Sequence, residues 1–450
     1  PRTPPAPRLA VALLVRGIAA ECLRSFVLYH ASIGFSRVAL FFDAPEDGSE
    51  QAAIEAASAC AGAAVGATAA GAGAAGGAAG VDVQVNLCTR QWWAETQADS
   101  RFFQRQGVAD AVYRDTVALH EEVHDVQARQ CLVVDRAVRE AHRDSFDWLL
   151  HIDSDEALLW PQGSDARDFF ASVGAEYDQV LFRNLEAVPE SMQIDDWFRE
   201  VTLFKVHQNL LQEDPAEPKE VNSKRRERLE AWQKQKVAKG TDLEDLADNR
   251  TYNMLMFSMR MTRRSAAWDL ELDLPPLESD SEFDSESDDD KASKRSSAAR
   301  DVPCFYTAYT NGKAAVRLRQ GVPPPLPIGV HRFASDQNKA LRSYRCGGHG
   351  APVVLHYANC GFAAWRRKYE ILAAGHGTED GGFSVTRKGI NSMRAHLAHR
   401  ELVGRGDEEK LEAYYRTFIM CNEFGELAHW ACHGLVARIG AVQAVLESGA

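Results

Sequence analysis

The 450-residue sequence has no C-x-x-C pair among its nine cysteines, which excludes zinc-ribbon and thioredoxin-like readings at the first step. It has no uninterrupted apolar run of about 18 residues, so no membrane span is expected within it. It has no excess of basic residues: 51 Lys and Arg face 64 Asp and Glu, a formal net charge of −13. Nucleic acid is therefore not expected as a partner, because a phosphate backbone needs a basic face. A small anionic ligand stays open, since one local basic pocket or a metal ion would hold it. Side-chain bulk is scarce between 52 and 80, where "GAAVGATAAGAGAAGGAAG" offers almost nothing to bury. That stretch reads as a low-complexity insertion with a short Ala-rich helix at its start. The first residue is Pro1 rather than Met, and the Pro-rich "PRTPPAPR" reads as the result of upstream removal. Any signal or membrane anchor is thus expected outside these residues.

What is present is enough for a real core: 45% of residues are hydrophobic and 9% aromatic. The length suits one large domain or two ordinary ones. Cys22, Cys88 and Cys131 lie in apolar stretches and read as small core residues, and the odd cysteine count leaves the compartment open.

The apolar run "RLAVALLV" (8–15) has the mark of a strand buried on both faces. In the next segment Leu23, Phe26, Val27, His30 and Ile33 share one helical face, and Gly34 is the expected stop. "SRVALFFD" (36–43) is a second buried strand. Strand, helix, strand in under 40 residues predicts a βαβ unit and a parallel sheet. "VDVQVNLC" (81–88) is a third strand, 122–142 a helix packed on the sheet, "FDWLLHID" a fourth strand and "YDQVLFRNLEA" (177–187) a fifth. From about 211 to 300 the texture turns charged, and "ESDSEFDSESDDDKASKRSS" is expected to be disordered. Order is expected again in "CFYTAYTNGKAAVRL" (304–318), "GVHRF" (329–333) and "VVLHYANCGFAAWRRKY" (353–369), with helices near 407–446.

"DWLLHIDSDEALLW" (147–160) carries the densest chemistry. Read as an extended segment, its alternation points Asp153 and Asp155 the same way, with Ser154 facing oppositely. Two carboxylates that close repel unless a cation neutralises them. A hard divalent ion such as Mn²⁺ or Mg²⁺ suits two oxygen donors and keeps positions open for phosphate oxygens. Ligands of open parallel sheets bind outside the carboxyl ends of the strands, where Asp43, Asp153, Asp155 and Glu156 all fall. Arg16 ends the first strand and is a candidate phosphate contact; Asp43 is a candidate for a base or ribose hydrogen bond. His356, at the end of an apolar strand, is a candidate further metal ligand, and His331 a weaker one. Glu186 and Glu156 are candidates for the base that deprotonates an acceptor hydroxyl. Lys313 is a candidate phosphate contact, although N-G-K, from Asn311, is equally a hairpin turn.

Together these blocks resemble glycosyltransferase family 92 and the related family-2-like glycosyltransferases. "VALLVRGIAAECLRSFVLYHASIGFSRVALFFD" is similar to the family's opening strand, Tyr-His helix and second strand. "DWLLHIDSDEALLW" is similar to its D-x-D-E segment, and "LFRNLEAVPE", "YTNGKAAVRL", "GVHRF" and "LHYANCGFAAWRRKY" to later blocks in the family's order. The resemblance covers roughly 8–50, 81–210 and 302–375. It implies an α/β fold of the glycosyltransferase-A type, with a mostly parallel sheet flanked by helices. It also implies a nucleotide-sugar donor, UDP- or GDP-linked, a glycan or glycoprotein acceptor, and a divalent metal on Asp153, Asp155 and His356. On this reading 8–210 form the nucleotide-sugar and metal-binding half, 211–300 an insertion, and 301–450 the acceptor-side half of the same domain. Such enzymes usually work in the Golgi as membrane-anchored proteins. The chain departs from the family where a Lys-Asn-Glu-like triplet follows the first strand: here it is Arg16, Gly17 and Ile18, with Glu21 one turn later. A catalytically inactive glycan-binding protein of the same fold and a metal-dependent phosphohydrolase are the alternatives.

Overall fold

The computed structural model describes residues 6–61, 80–102, 117, 125–160, 165–206, 312–337, 339–346, 351–373, 406–432, 434 and 436–448. Most of the Ala/Gly-rich stretch, the charged stretch 211–300 and Asn311 lie outside them.

The apolar runs become strands buried along their whole length: β1 (Leu9–Val15) and β2 (Arg37–Phe42). Helix α1 (Ala20–Ser32) joins them and ends where Gly34 takes up a left-handed φ of 110°. The predicted short Ala-rich helix is α2 (Gln51–Ala59), which precedes β3 (Asp82–Leu87). Helices α3 (Arg90–Asp99) and α4 (Val126–Arg143) lead to β4 (Trp148–His151). β1 pairs in parallel with β2 and β4, and β2 with β3.

The chain then departs from the predicted pattern. "EALL" is a separate strand, β5 (Glu156–Leu159), in a stretch that carried no strand expectation. After helix α5 (Ala166–Ser172) comes β6 (Gln179–Ala187), then β7 (Leu203–Lys205) and β8 (Lys313–Arg317). β8 inserts antiparallel between β4 and β6, so the sheet is mixed there. The short strands β9 (Leu326–Ile328) and β10 (Arg332–Ala334) form a hairpin. β11 (Ser343–Arg345) and β12 (Val353–His356) both run parallel to β6, and β12 also pairs antiparallel with β5. Helix α6 (Phe362–Ala373), a run of helices from Glu408 and the final helix α7 (Ala441–Ser448) complete the chain, with β13 (Val436–Arg438) on β7. Among the described residues the result is an eleven-stranded α/β sheet flanked by helices, of the glycosyltransferase-A-like kind.

The Tyr-His pair of α1 explains how β5 is held. Tyr29 donates its hydroxyl hydrogen to Leu158 O at 2.9 Å, and Leu158 N donates to His30 Nε2 at 3.4 Å. Both backbone polar groups of a buried residue thus find side-chain partners. Gly312 sets up β8: a Cβ there would lie 1.6 Å from Phe182 O, so only glycine lets the strand reach β6. No described helix is long and apolar enough to cross a membrane.

Candidate active site

The acidic cluster is a turn rather than a continued strand. Glu156 N donates to Asp153 O at 3.1 Å, and Glu156 Oε2 accepts the Asp153 N–H at 2.7 Å. The expectation of strand alternation through Ser154 is corrected accordingly, because β4 stops at His151 and β5 begins at Glu156. The turn sends the two aspartates to different partners.

Asp155 meets the end of β12. Its Oδ1 is 3.8 Å from His356 Nε2, and its Oδ2 accepts a hydrogen bond from Lys368 Nζ, on α6, at 2.7 Å. The register places His356 between Glu156 and Glu186, its partners across β5 and β6. Behind it, His356 Nδ1 and Glu186 Oε1 are 2.8 Å apart, and Asn184 Nδ2 also donates to that oxygen. Burial lowers the His356 pKa, but Glu186 and Asp155 outweigh it and raise it to about 9. Burial alone would raise the Asp155 carboxyl, yet Lys368 and His356 hold it below the ordinary value.

Asp153 sits in a different arrangement. Its Oδ1 accepts from Gln130 Nε2, on α4, at 2.6 Å, and its Oδ2 from Lys313 Nζ at 2.7 Å. Lys313 is buried and also lies 3.6 Å from Glu156 Oε2. Its pKa is raised because Asp153 and Glu156 overcome the burial that would lower it. Burial pushes the Glu156 carboxyl up to about 7 against the pull of Lys313, and Glu156 Oε1 has no hydrogen-bond partner.

At the ends of β1 and β2, Arg16 Nη1 and Arg129 Nη2 both reach Asp43 Oδ2, at 3.1 and 2.8 Å. Trp93 Nε1 donates to Asp43 O at 3.3 Å. Two guanidinium groups thus share one buried carboxylate at this edge of the sheet, with the carboxylates of Asp47, Glu50 and Asp125 close enough to act on them as well. Gly17 has a left-handed φ of 69° and Ile18 is buried in the core. The departure from the polar triplet is therefore a tight turn followed by a core residue.

Asp153, Asp155, Glu156, Glu186, Lys313 and His356 thus lie in one linked network, with Arg16 and Asp43 paired at the neighbouring strand ends. His331 joins its edge: its Nδ1 lies 2.7 Å from Gly312 O, beside Lys313. The sequence reading missed Lys368, Gln130 and Arg129. It also missed His151, buried next to the acidic turn with Nε2 unpartnered. Lys368 stands in the quoted "WRRKY" and His151 in "LLHID", but neither has local spacing that sets it apart.

Of the three expected metal ligands, Asp155 and His356 are brought to 3.8 Å of each other, whereas Asp153 is held by Gln130 and Lys313 instead. Ligands at about 2.1 Å from one ion lie roughly 3 to 4 Å apart, which spans the 3.8 Å between Asp155 Oδ1 and His356 Nε2. The Glu186 contact is the carboxylate–histidine support that such ligands usually have. Among the described residues no group of three or more His, Cys, Asp or Glu side chains could hold a metal, so further ligands would come from substrate phosphates or water.

No family model matches the chain. Two curated proteins of Arabidopsis thaliana are similar to part of it. Glycosyltransferase-like At2g41451 is 31% identical over 114 residues, 25% of this chain and 24% of that protein. Glycosyltransferase-like At3g57200 is 28% identical over 114 residues, 25% of this chain and 21% of that protein. The match thus spans about a quarter of the length of either relative. These likenesses and the fold support glycosyltransferase at the level of the class.

Proposed function

We propose that this chain is a glycosyltransferase of hexosyltransferase type, moving a sugar from a UDP- or GDP-linked donor to a hydroxyl of a glycan or glycoprotein with inversion. The observation that carries the reading is the meeting of Asp155 and His356 at the strand ends, with Glu186 fixed behind the imidazole. Asp155 and His356 are the residues that would hold Mn²⁺ or Mg²⁺. When bound, such an ion supplies Lewis-acid stabilisation of the departing nucleoside diphosphate. In the ion-free protein His356 is protonated at neutral pH, so ligation releases that proton.

The chain's own residues supply the rest. Lys313 fixes Asp153 and adds positive charge beside the diphosphate, and Asp43 with Arg16 and Arg129 forms the edge against which the nucleotide lies. Of the two carboxyls considered for the acceptor proton, Glu186 Oε1 is engaged by His356 and Asn184, whereas Glu156 Oε1 is unpartnered. Glu186 is a positioning residue in this reading, and Glu156, wholly buried with one carboxyl oxygen unpartnered, stays the candidate base, which an acceptor reaches only if the acidic turn opens. By the same resemblance the site of action is the Golgi or secretory lumen.

The deciding experiment is thermal unfolding with UDP or GDP in Mn²⁺, followed by transfer and donor-hydrolysis assays with a panel of nucleotide sugars. A ligand at 100 times its dissociation constant stabilises by about 2.7 kcal/mol, which a melting curve resolves. Stabilisation that disappears in Asp155→Ala and His356→Ala supports the reading. Phosphate release from simple phosphoesters without any response to sugar nucleotides would replace it.

A further inference from the structure

The loop leaving β6 borders an open, solvent-facing cavity of about 350 Å³, lined by Glu190, Met192, Gln193, Arg416, Met420 and Asn422 among others. That volume is at the lower end of small-ligand sites. Both ends of the loop are fixed: Cys421 N donates to Pro189 O at 2.9 Å, and Phe362 N to Met192 O at 2.8 Å. The loop is therefore tied to the two elements that build the candidate site, β6 with Glu186 and α6 with Lys368. Glu190 follows Glu186 by four residues, so the cavity edge is within roughly 14 Å of the Glu186 backbone even if the chain were fully extended.

The lining chemistry suits a neutral polyol. Its two charges are already compensated, Glu190 by Arg438 at 3.4 Å and Arg416 by Glu412 at 3.6 Å. A phosphate or carboxylate ligand would want an uncompensated cation, which these pairs do not offer. The amides of Gln193 and Asn422 each combine a donor group with an acceptor, the pairing that adjacent hydroxyls of a sugar ring require. Met192 and Met420 supply adaptable apolar wall.

A second observation lies beside the cavity. Phe424, two residues after Asn422, is 85% exposed, the most exposed large hydrophobic side chain among the described residues. It stands within roughly 7 Å of Asn422 along the chain. A ring left in water forgoes the burial that apolar side chains otherwise gain. Its flat, electron-rich face suits the C–H side of a sugar ring.

We infer that this open cavity, with Phe424 two residues beyond Asn422 of its wall, is a subsite for a neutral oligosaccharide acceptor, holding sugar units beyond the one whose hydroxyl reacts. The inference rests on the transfer function proposed above and assigns its acceptor side.

The test is saturation-transfer NMR on the full chain, with cellotriose, xylotriose, galactotriose and chitotriose as probes, in UDP or GDP with Mn²⁺. Wild type is compared with Phe424→Ala and Gln193→Ala, both at positions outside the packed core. The expected result is that at least one trisaccharide binds wild type and that each variant weakens it about tenfold, roughly 1.4 kcal/mol. Stabilisation by the nucleotide stays unchanged in both variants. Failure of every probe to bind wild type, or equal binding by the variants, overturns the subsite. Nucleotide stabilisation with unaltered saccharide binding in the variants removes the subsite and leaves the transfer reading. Variant-sensitive saccharide binding without any nucleotide response removes the transfer reading and leaves a glycan-binding cavity.

Discussion

Glu186 Oε1 and His356 Nδ1 are 2.8 Å apart, and this contact decides which imidazole nitrogen faces Asp155. With Nδ1 held by the carboxylate, Nε2 is the nitrogen turned toward Asp155 Oδ1. Glu186→Gln keeps an acceptor for Nδ1 but removes the charge that strengthens the pair. Removing such a supporting partner costs about 10- to 100-fold in metal affinity or activity. The expected outcome is a loss of that size in Mn²⁺-dependent nucleotide stabilisation, measured for each protein against its own ligand-free melting point, which itself falls because a buried pair loses its negative charge. Full retention of Mn²⁺ dependence in this variant would remove the positioning role from Glu186.

Much of the scaffold around this pair was legible because it depends on local pattern. The unbroken apolar runs at Leu9–Val15 and Arg37–Phe42 leave no alternative to buried strands, and Gly34 marks the end of α1 through its left-handed φ. The acidic turn was harder. Asp153, Ser154, Asp155 and Glu156 read as an extended strand end, whereas the hydrogen bond from Glu156 N to Asp153 O closes a turn, with β5 leaving to pair with β12 almost 200 positions later. The partners Lys368, Gln130 and Lys313 come from three distant segments, and their meeting depends on β8 inserting beside β4. Pairings of that kind carry no local periodicity.

Lys313 is the cation between Asp153 and Glu156, and its side chain is fully buried. Lys313→Met keeps most of the aliphatic stem and removes the charge. Breaking a buried pair by deleting one partner typically costs 3–5 kcal/mol, and the partial exposure of Asp153 places this case toward the lower end, about 3 kcal/mol. Urea unfolding at neutral pH measures it. A loss below about 0.5 kcal/mol, the usual scale of surface substitutions, would mean that the carboxylates reorganise or take up protons at no cost.

Gly312 approaches Phe182 O so closely that the smallest side chain does not fit. Gly312→Ala must push β8 away from β6 and, with it, Lys313 from Asp153. Overpacking of this kind costs roughly 1–3 kcal/mol. Denaturant unfolding should show that loss. Because the displaced strand carries Lys313, nucleotide-dependent stabilisation should fall as well. A variant as stable as wild type would show that the strand pair adapts without strain.

His30 makes the fold sensitive to acid. It is fully buried, its Nε2 accepts from Leu158 N, and its Nδ1 lies 2.9 Å from Phe26 O, so the neutral ring is satisfied on both sides. Burial lowers its pKa from 6.5 to about 4. The unfolded chain therefore binds the proton first. Stability from this group is complete above about pH 6.5, falls as the pH drops toward 4, and levels off below that. At about pH 5 the loss is about 2 kcal/mol. Glu50 and Glu156, which burial pushes up to about 7, titrate with the opposite slope, and His151 and His331, which burial lowers, with the same one, so the wild-type curve alone mixes them all. The difference between wild type and His30→Gln separates them, since glutamine offers a donor and an acceptor but no titration in this range. Urea midpoints at about pH 7.5 and about pH 5 should converge for the two proteins as the pH falls. Parallel curves would show that His30 stays neutral in the unfolded chain as well, or is protonated in the folded one.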